Sequence, residues 1–349
     1  MAQHGVVTRD AVLGTFLRID HRTPAGTVDV TVTGEVSVTR ASTSRAERER
    51  PRPQGSHHLA DLVGLSPAMA LFAVFVVVPI IAAVVLSFLR WNGLGTPTWA
   101  GLSNWRTFFS DPIAHGSLEV TGKLVVLSWI VQTPISMALG MFVAGRQRYR
   151  AVYAAFYLLP LLLSTVGIAL VWQAVLDPEF GGVAWLGLHL HANFLVQNWL
   201  GSGSLALYVL VVLIAWQFIP FHTLLYQVGR RQIPQTLYEA ASLDGASRMQ
   251  TLLHVTLPQL RYTIVVSTTL ILVGSLTYFD IIYVLTGGGP GYTTRVLSLD
   301  MYQAAFLDNT FGYASVLAVI LGVIGIVVAL GLVRFTGFSS MSSQRDGIA

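Results

Sequence analysis

Six apolar runs, at residues 62–89, 124–144, 151–176, 205–228, 263–285 and 313–335, restrict this chain to a membrane-spanning helical fold. Each exceeds the roughly 18 residues that cross a bilayer as a helix, whereas a soluble core would break such runs with polar faces. Only 11% of the residues are charged, against about 25% in soluble domains. The expected class is therefore an all-α polytopic membrane protein with six transmembrane helices. Pro67, Pro79, Pro134, Pro160 and Pro220 fall inside these runs, which transmembrane helices tolerate because neighbours satisfy the freed backbone groups.

Basic residues collect on the cytoplasmic side of membrane proteins. With the N-terminus inside, eight Arg lie in residues 1–61, three in 146–150, four in 230–261 and two at the end of the chain, 17 of the 21 basic residues. Arg90, Arg106, Lys123 and Arg295 fall outside. Both termini are thus expected in the cytoplasm.

Residues 1–61 are polar, carry the charge-dense "RAERERPR", and are expected to form a disordered cytoplasmic tail. Within them "TVDVTVTGEVSV" alternates like a strand. A start further downstream would also account for such a tail. The first apolar run begins too late for a cleavable export signal, so it is read as a retained span. There are no cysteines, which excludes disulfides and thiolate metal sites.

Between the fourth and fifth runs, residues 229–262 form an unusually long polar connection. A short helix is expected after Pro234, with Leu237, Ala240, Ala241 and Leu243 on one side and Glu239, Asp244 and Arg248 elsewhere. Gly245 permits a left-handed turn. A second helical stretch, 248–255, is expected to end where Pro258 removes an amide donor and redirects the chain. An amphipathic helix resting on lipid usually carries Lys or Arg on its polar face; this one presents Glu239 and Asp244, which anionic lipid repels.

The series Glu239-Ala240-Ala241, Gly245, then Leu257-Pro258 resembles the "EAA" loop of permease subunits in binding-protein-dependent ABC importers, with Val255 where that pattern has Ile. "WAGLSNWRTFF" and "YFDIIYVLTGGGPGYTT" are similar to segments of the sugar-transporting branch, the maltose and glycerol-phosphate type permeases. The resemblance covers residues 62–338, taken as the permease domain, and leaves 339–349 as a second cytoplasmic tail. It implies the type I ABC importer permease architecture in a bacterial inner membrane. It also implies a coupling helix docked in a separate ATP-binding subunit, itself a dimer, where Glu239 pairs with a basic group and Ala240 and Ala241 allow close approach. A second permease, an extracytoplasmic solute-binding protein and a sugar complete the implied partners, with no nucleic acid among them.

The energy source is searchable directly. A phosphate-cradling Gly-Lys-Ser/Thr loop needs a lysine after glycine, and the only lysine, Lys123, is followed by Leu124 with Ser117 at the first glycine position. ATP is therefore expected to be used by a partner and no cofactor bound by this chain. The rival is an ion-coupled secondary carrier, which places ionisable residues within its spans. Only Asp280 and His222 qualify, read as an interfacial anchor and a hydrogen-bonded structural imidazole. A permease for a non-sugar solute stays open as well. His189 and His191 form a weak pair at strand spacing, no metal or catalytic pattern is present, and an enzyme is the most distant reading.

Sugars are held by aromatic faces and hydrogen-bonding side chains in apolar pockets. By similarity to maltose-type permeases, Trp216, Gln217, Phe218, Phe221, Ile271, Ser275 and Tyr278 are expected to line the substrate path, though Ile271 departs from the maltose pattern. In the fifth run Ile271, Gly274, Ser275 and Tyr278 recur at helical spacing and are expected to share one face. Plain helix packing is the competing account of the same residues. Gly287, Gly288, Gly289 and Pro290 break any helix and, by the resemblance, form an outer rim facing the binding protein.

Overall fold

Hydrogen bonds closed within each helix let an apolar chain cross lipid without unpaired backbone groups, and helices carry nearly all of this fold. The computed structural model describes residues 57–145 and 148–335; the expected tails and the alternating "TVDVTVTGEVSV" segment lie outside them.

The first span joins α1 (His57–Phe72) to α2 (Val78–Leu86) through a widened π turn at Ala73–Val77. Pro79 follows that turn at once. Its ring would strike the carbonyl one turn back, and the wider turn removes the clash. None of residues 64–82 is buried in the chain's own fold, so lipid or another subunit must cover this span. A hairpin of β1 (Leu89–Arg90) and β2 (Thr98–Trp99) and the short α3 (Ser103–Ser110) cap its end. Asn104 Nδ2 donates to the Ser87 and Leu89 carbonyls at 2.9 and 2.8 Å, satisfying acceptors that the helix end leaves open. "WAGLSNWRTFF" is thus, at its centre, a cap.

The second span is α4 (Pro112–Val143), which starts twelve residues before its apolar run because Ser117 and Thr121 are buried inside the fold rather than set against lipid. Asp111 starts it, accepting from the Ile113 amide at 2.9 Å.

The third span departs from the single helix expected at 151–176. α5 (Arg148–Leu162) and α6 (Thr165–Val175) meet at a 110° corner. Pro160 removes a bond from the last turn of α5, and Ser164, in extended conformation, starts a new helix. After α7 (Gly182–His189), the fourth span, α8 (Ala206–Gln232), runs unbroken through Pro220.

Between the fourth and fifth spans lie α9 (Gln235–Leu243), α10 (Arg248–Thr251) and α11 (Leu257–Gln259), the last two joined by a π turn at Leu252–Thr256. Pro258 therefore does not end the second stretch. As at Pro79, a widened turn absorbs the proline, and the chain bends by 69° only at Leu260.

The fifth span also differs from the continuous run at 263–285. α12 (Arg261–Ser275) stops, four residues break the helix, and α13 (Asp280–Leu285) follows. Thr277 Oγ1 donates back to the Gly274 carbonyl at 2.9 Å, and Ser298 Oγ donates to the Tyr278 carbonyl at 3.0 Å, so the break is satisfied by one local group and one from further along the chain. α14 (Leu297–Tyr302) precedes the sixth span, α15 (Phe311–Phe335). Among the described residues four helices are long and apolar enough to cross alone, and counting each bent pair as one gives six. Leu124, Leu210, Ile214, Ile281, Ile282 and Leu299 form the core between α4, α8, α13 and α14.

Candidate functional site

The breaks in the third and fifth spans face one another across α8 and enclose a cavity of about 470 Å³. α8 supplies Phe218, Phe221 and His222, at spacings of three and four that share one helical face. The α5–α6 corner adds Leu161 and Thr165; α12 and its break add Leu270, Gly274, Thr277, Tyr278, Phe279, Asp280 and Ile281. The Phe218 and Tyr278 rings stack, with centroids 5.2 Å apart and planes 29° apart, presenting a continuous aromatic wall. Aromatic faces with few polar groups between them suit the C–H faces of an uncharged polyol.

Of the seven side chains expected on the path, Phe218, Phe221 and Tyr278 line the cavity. Gln217 lies one layer behind, buried, and donates from Nε2 to Thr165 Oγ1 at 2.9 Å while its Oε1 has no partner in the chain. Trp216 stands apart, half-exposed, edge-on to Trp172 with centroids 5.7 Å apart. The helical step puts it some 200° around the helix from Phe218. Ile271 and Ser275 are buried inside the fold, one step round α12 from Leu270 and Gly274, which do line the cavity. The four residues read as one face are thus divided: Gly274 and Tyr278 line the cavity, whereas Ile271 and Ser275 turn into the fold.

His222 is buried and its Nδ1 lies 3.0 Å from Ser267 Oγ; Asp280 begins α13 and is exposed. Both touch the cavity. His189 stacks on Trp185 at 4.0 Å, and the described residues hold no cluster of three or more metal-binding side chains. Sequence reasoning missed Thr165 and Gln132. Gln132 is fully buried on α4, beside the Tyr278 hydroxyl. Pro160 was the available signal for the corner that delivers Thr165; nothing in the local sequence marked Gln132.

At the opposite end of α12, α9 stands out from the helices. Glu239, Ala240 and Asp244 are exposed, Ala241 is half-buried, and Leu243 is 89% exposed. Gly245 turns the chain with φ of 71°, and Ser247 and Gln250 close a reciprocal cap that starts α10. Leu257 is half-buried and Pro258 exposed on α11. A depression of about 890 Å³ runs beside α9, lined by the end of α4, Arg230, Arg231, Ile233 and Glu239. An exposed helix bearing Leu243, with Met249 and Leu253 beyond it, is a surface built to be covered.

The glycine-rich segment after α13 is an ordered loop. Gly287 and Gly288 hold φ of 56° and 91°, which side-chain-bearing residues rarely adopt, and Thr286 and Thr294 join hydroxyls at 2.8 Å across its base. Gly289 Cα and Pro290 complete the loop tip, where the Gly289 carbonyl accepts from Thr294 Oγ1 at 2.7 Å. Arg295 pairs with the buried Asp300 through Nε at 2.9 Å and through Nη2.

A polytopic helical protein with an aromatic-walled cavity at broken spans and an exposed helical hook on one face is a transport component. The chain belongs to the family of binding-protein-dependent transport system inner membrane components, which matches residues 132–336. It is 32% identical over 78% of its length, and 94% of the relative, to the probable ABC transporter permease protein YurN of Bacillus subtilis. It is 31% identical to the trehalose/maltose transport system permease protein MalF of Thermococcus litoralis, over 73% of this chain and 85% of that one. The fold matches a chain of a bacterial alginate ABC transporter, solved with its alginate-bound periplasmic protein, at a TM-score of 0.72 and 20% identity, covering 82% and 96% of the two chains. This is a multi-pass membrane permease subunit of an ABC importer, not an enzyme, and the type I architecture expected from the sequence is the one observed.

Proposed function

We propose that this permease subunit carries a carbohydrate through the cavity at the two broken spans, paired with a second, similar permease. The observation that carries the reading is the stacked Phe218–Tyr278 wall beside Thr165, Thr277 and His222, in a cavity with one carboxylate, Asp280. The relative named for trehalose and maltose supports the same solute class. Residues 62–338 form the permease domain, residues 1–61 and 339–349 are cytoplasmic tails, and the α9 face is cytoplasmic, in keeping with Arg230, Arg231, Arg248 and Arg261 beside it.

On that face Glu239, Ala240, Ala241, Asp244, Gly245, Leu257 and Pro258 form the docking element for a dimeric ATP-binding subunit, which supplies the energy. The loop of Gly287, Gly288, Gly289 and Pro290 lies on the outer rim and meets the solute-binding protein. ATP-driven closure of the ATPases shifts the spans between two arrangements that open the cavity to either side.

The test is to tag this chain, purify it in mild detergent from its native membrane and identify stoichiometric partners by mass spectrometry. An ATPase and a second six-span protein are expected, and the associated binding protein then reports the sugar by calorimetry. A lone chain that moves solute in ATP-free liposomes would overturn the reading.

A further inference from the structure

Tyr238 precedes Glu239 on α9 and reaches two other elements of the fold. The Arg230 guanidinium lies over its ring at 4.0 Å from the centroid, and its hydroxyl sits 3.2 Å from Thr256 Oγ1. Thr256 Oγ1 itself donates to the Thr251 carbonyl at 3.4 Å, so the Tyr238 hydroxyl is the donor of the pair. One side chain thereby joins the last turn of α8, α9 itself, and the π turn that leads into α11 and α12.

The two spans so joined are in close contact. A Cβ at Gly229 would lie 2.5 Å from Thr263 Oγ1 and 3.0 Å from Leu260 Cδ2, so the end of α8 rests directly on the start of α12. α9, by contrast, is mostly exposed, and its backbone connections are the short turns at Ile233–Pro234 and at Gly245. Without a cross-link, those turns would let α9 swing independently of the spans.

We propose that Tyr238 is a strut that makes α9 a rigid extension of the α8–α12 pair. Displacement of α9 is then delivered to Phe218 on α8 and to Gly274 on α12, the two walls of the cavity, instead of being lost in bending of the turns. Tyr238 is a positioning residue: it contacts no solute and presents no docking surface of its own. The proposal rests on the reading of α9 as the ATPase-docking element.

The test uses the native complex with its partner subunits. This chain has no cysteines, so Thr277→Cys in the cavity wall gives it one reporter for a membrane-impermeant maleimide. The labelling rate is compared without nucleotide and with ATP and vanadate. Tyr238→Phe keeps the ring on Arg230 and removes only the hydroxyl; Thr256→Val removes the acceptor. Both variants are expected to retain the ATPase subunit at wild-type stoichiometry while the nucleotide-induced change in labelling falls roughly fivefold, the factor carried by one ordinary hydrogen bond. The double variant is expected to fall no further than either single one. An unchanged nucleotide response in Tyr238→Phe, or additive losses in the double variant, would overturn the strut. Loss of the ATPase from Tyr238→Phe would instead assign the residue to docking and equally overturn it. A reporter complex that carries no ATPase before Tyr238 or Thr256 is changed would sink the docking reading itself, and is distinguished by that fact.

Discussion

Gln217 on α8 donates to Thr165 Oγ1 across 2.9 Å, tying the middle of the fourth span to the corner that divides the third. The bond is part-buried, with Gln217 inside the fold and Thr165 on the cavity wall, so losing it costs about 0.5–1.5 kcal/mol, whereas replacing both partners with apolar groups can be nearly neutral. Gln217→Leu is therefore expected to lower the melting temperature of the purified complex, and adding Thr165→Val is expected to restore most of it. A double variant less stable than Gln217→Leu would show that the corner is held by something else.

Glu239→Ala leaves every span intact, because the side chain is exposed and makes no contact that holds the fold. Membrane insertion and abundance are expected at wild-type levels, with roughly tenfold weaker retention of the ATPase, the scale of one charge-assisted bond. Wild-type sugar-dependent ATP hydrolysis in the variant would remove Glu239 from the docking surface.

The aromatic wall separates two tryptophan and phenylalanine positions that the sequence placed together. Phe218→Ala is expected to raise the solute concentration for half-maximal uptake roughly fivefold, the contribution of one aromatic contact, with assembly unchanged. Trp216→Ala, outside the cavity, is expected to change uptake far less. Equal effects from the two substitutions, measured in the same liposomes, would place the path elsewhere.

Asp300 gives α14 a pH dependence. Burial pushes its carboxyl above the ordinary value of 3.8, with Arg295 opposing through hydrogen bonding and charge. The folded state therefore holds the proton more tightly than the unfolded chain, so this contribution is fully present below 3.8 and is lost as pH rises through the elevated value. Hydrogen exchange of the α14 amides, corrected for intrinsic rates, is expected to show weaker protection at pH 7 than at pH 4.5. Asp300→Asn is expected to flatten that difference. Protection that rises with pH would mean that the Arg295 pair outweighs burial.

The six apolar runs, the short helix after Pro234 and the turn at Gly245 were legible because each depends on local chemistry: hydropathy over a bilayer's length, a fixed φ, a glycine at positive φ. Of the residues that similarity to maltose-type permeases placed on the expected path, Phe218, Phe221 and Tyr278 line the cavity, whereas helical phase turns Trp216, Ile271 and Ser275 to other surfaces. Pro258 misled for an instructive reason. A proline removes one bond wherever it stands, but whether the helix ends or widens into a π turn depends on what the neighbouring turns can absorb.

By itself the sequence determined that this chain lives in a membrane as helices and that its exposed hook bears Glu239, Ala240 and Ala241. Only the tertiary structure decided where the third and fifth spans break, that the breaks face each other, and that Tyr238 reaches Thr256. The physical reason is that backbone groups freed at a break need partners from elsewhere in the fold, as the Tyr278 carbonyl finds in Ser298 Oγ. That partner lies 20 residues away in sequence, and no local pattern records it.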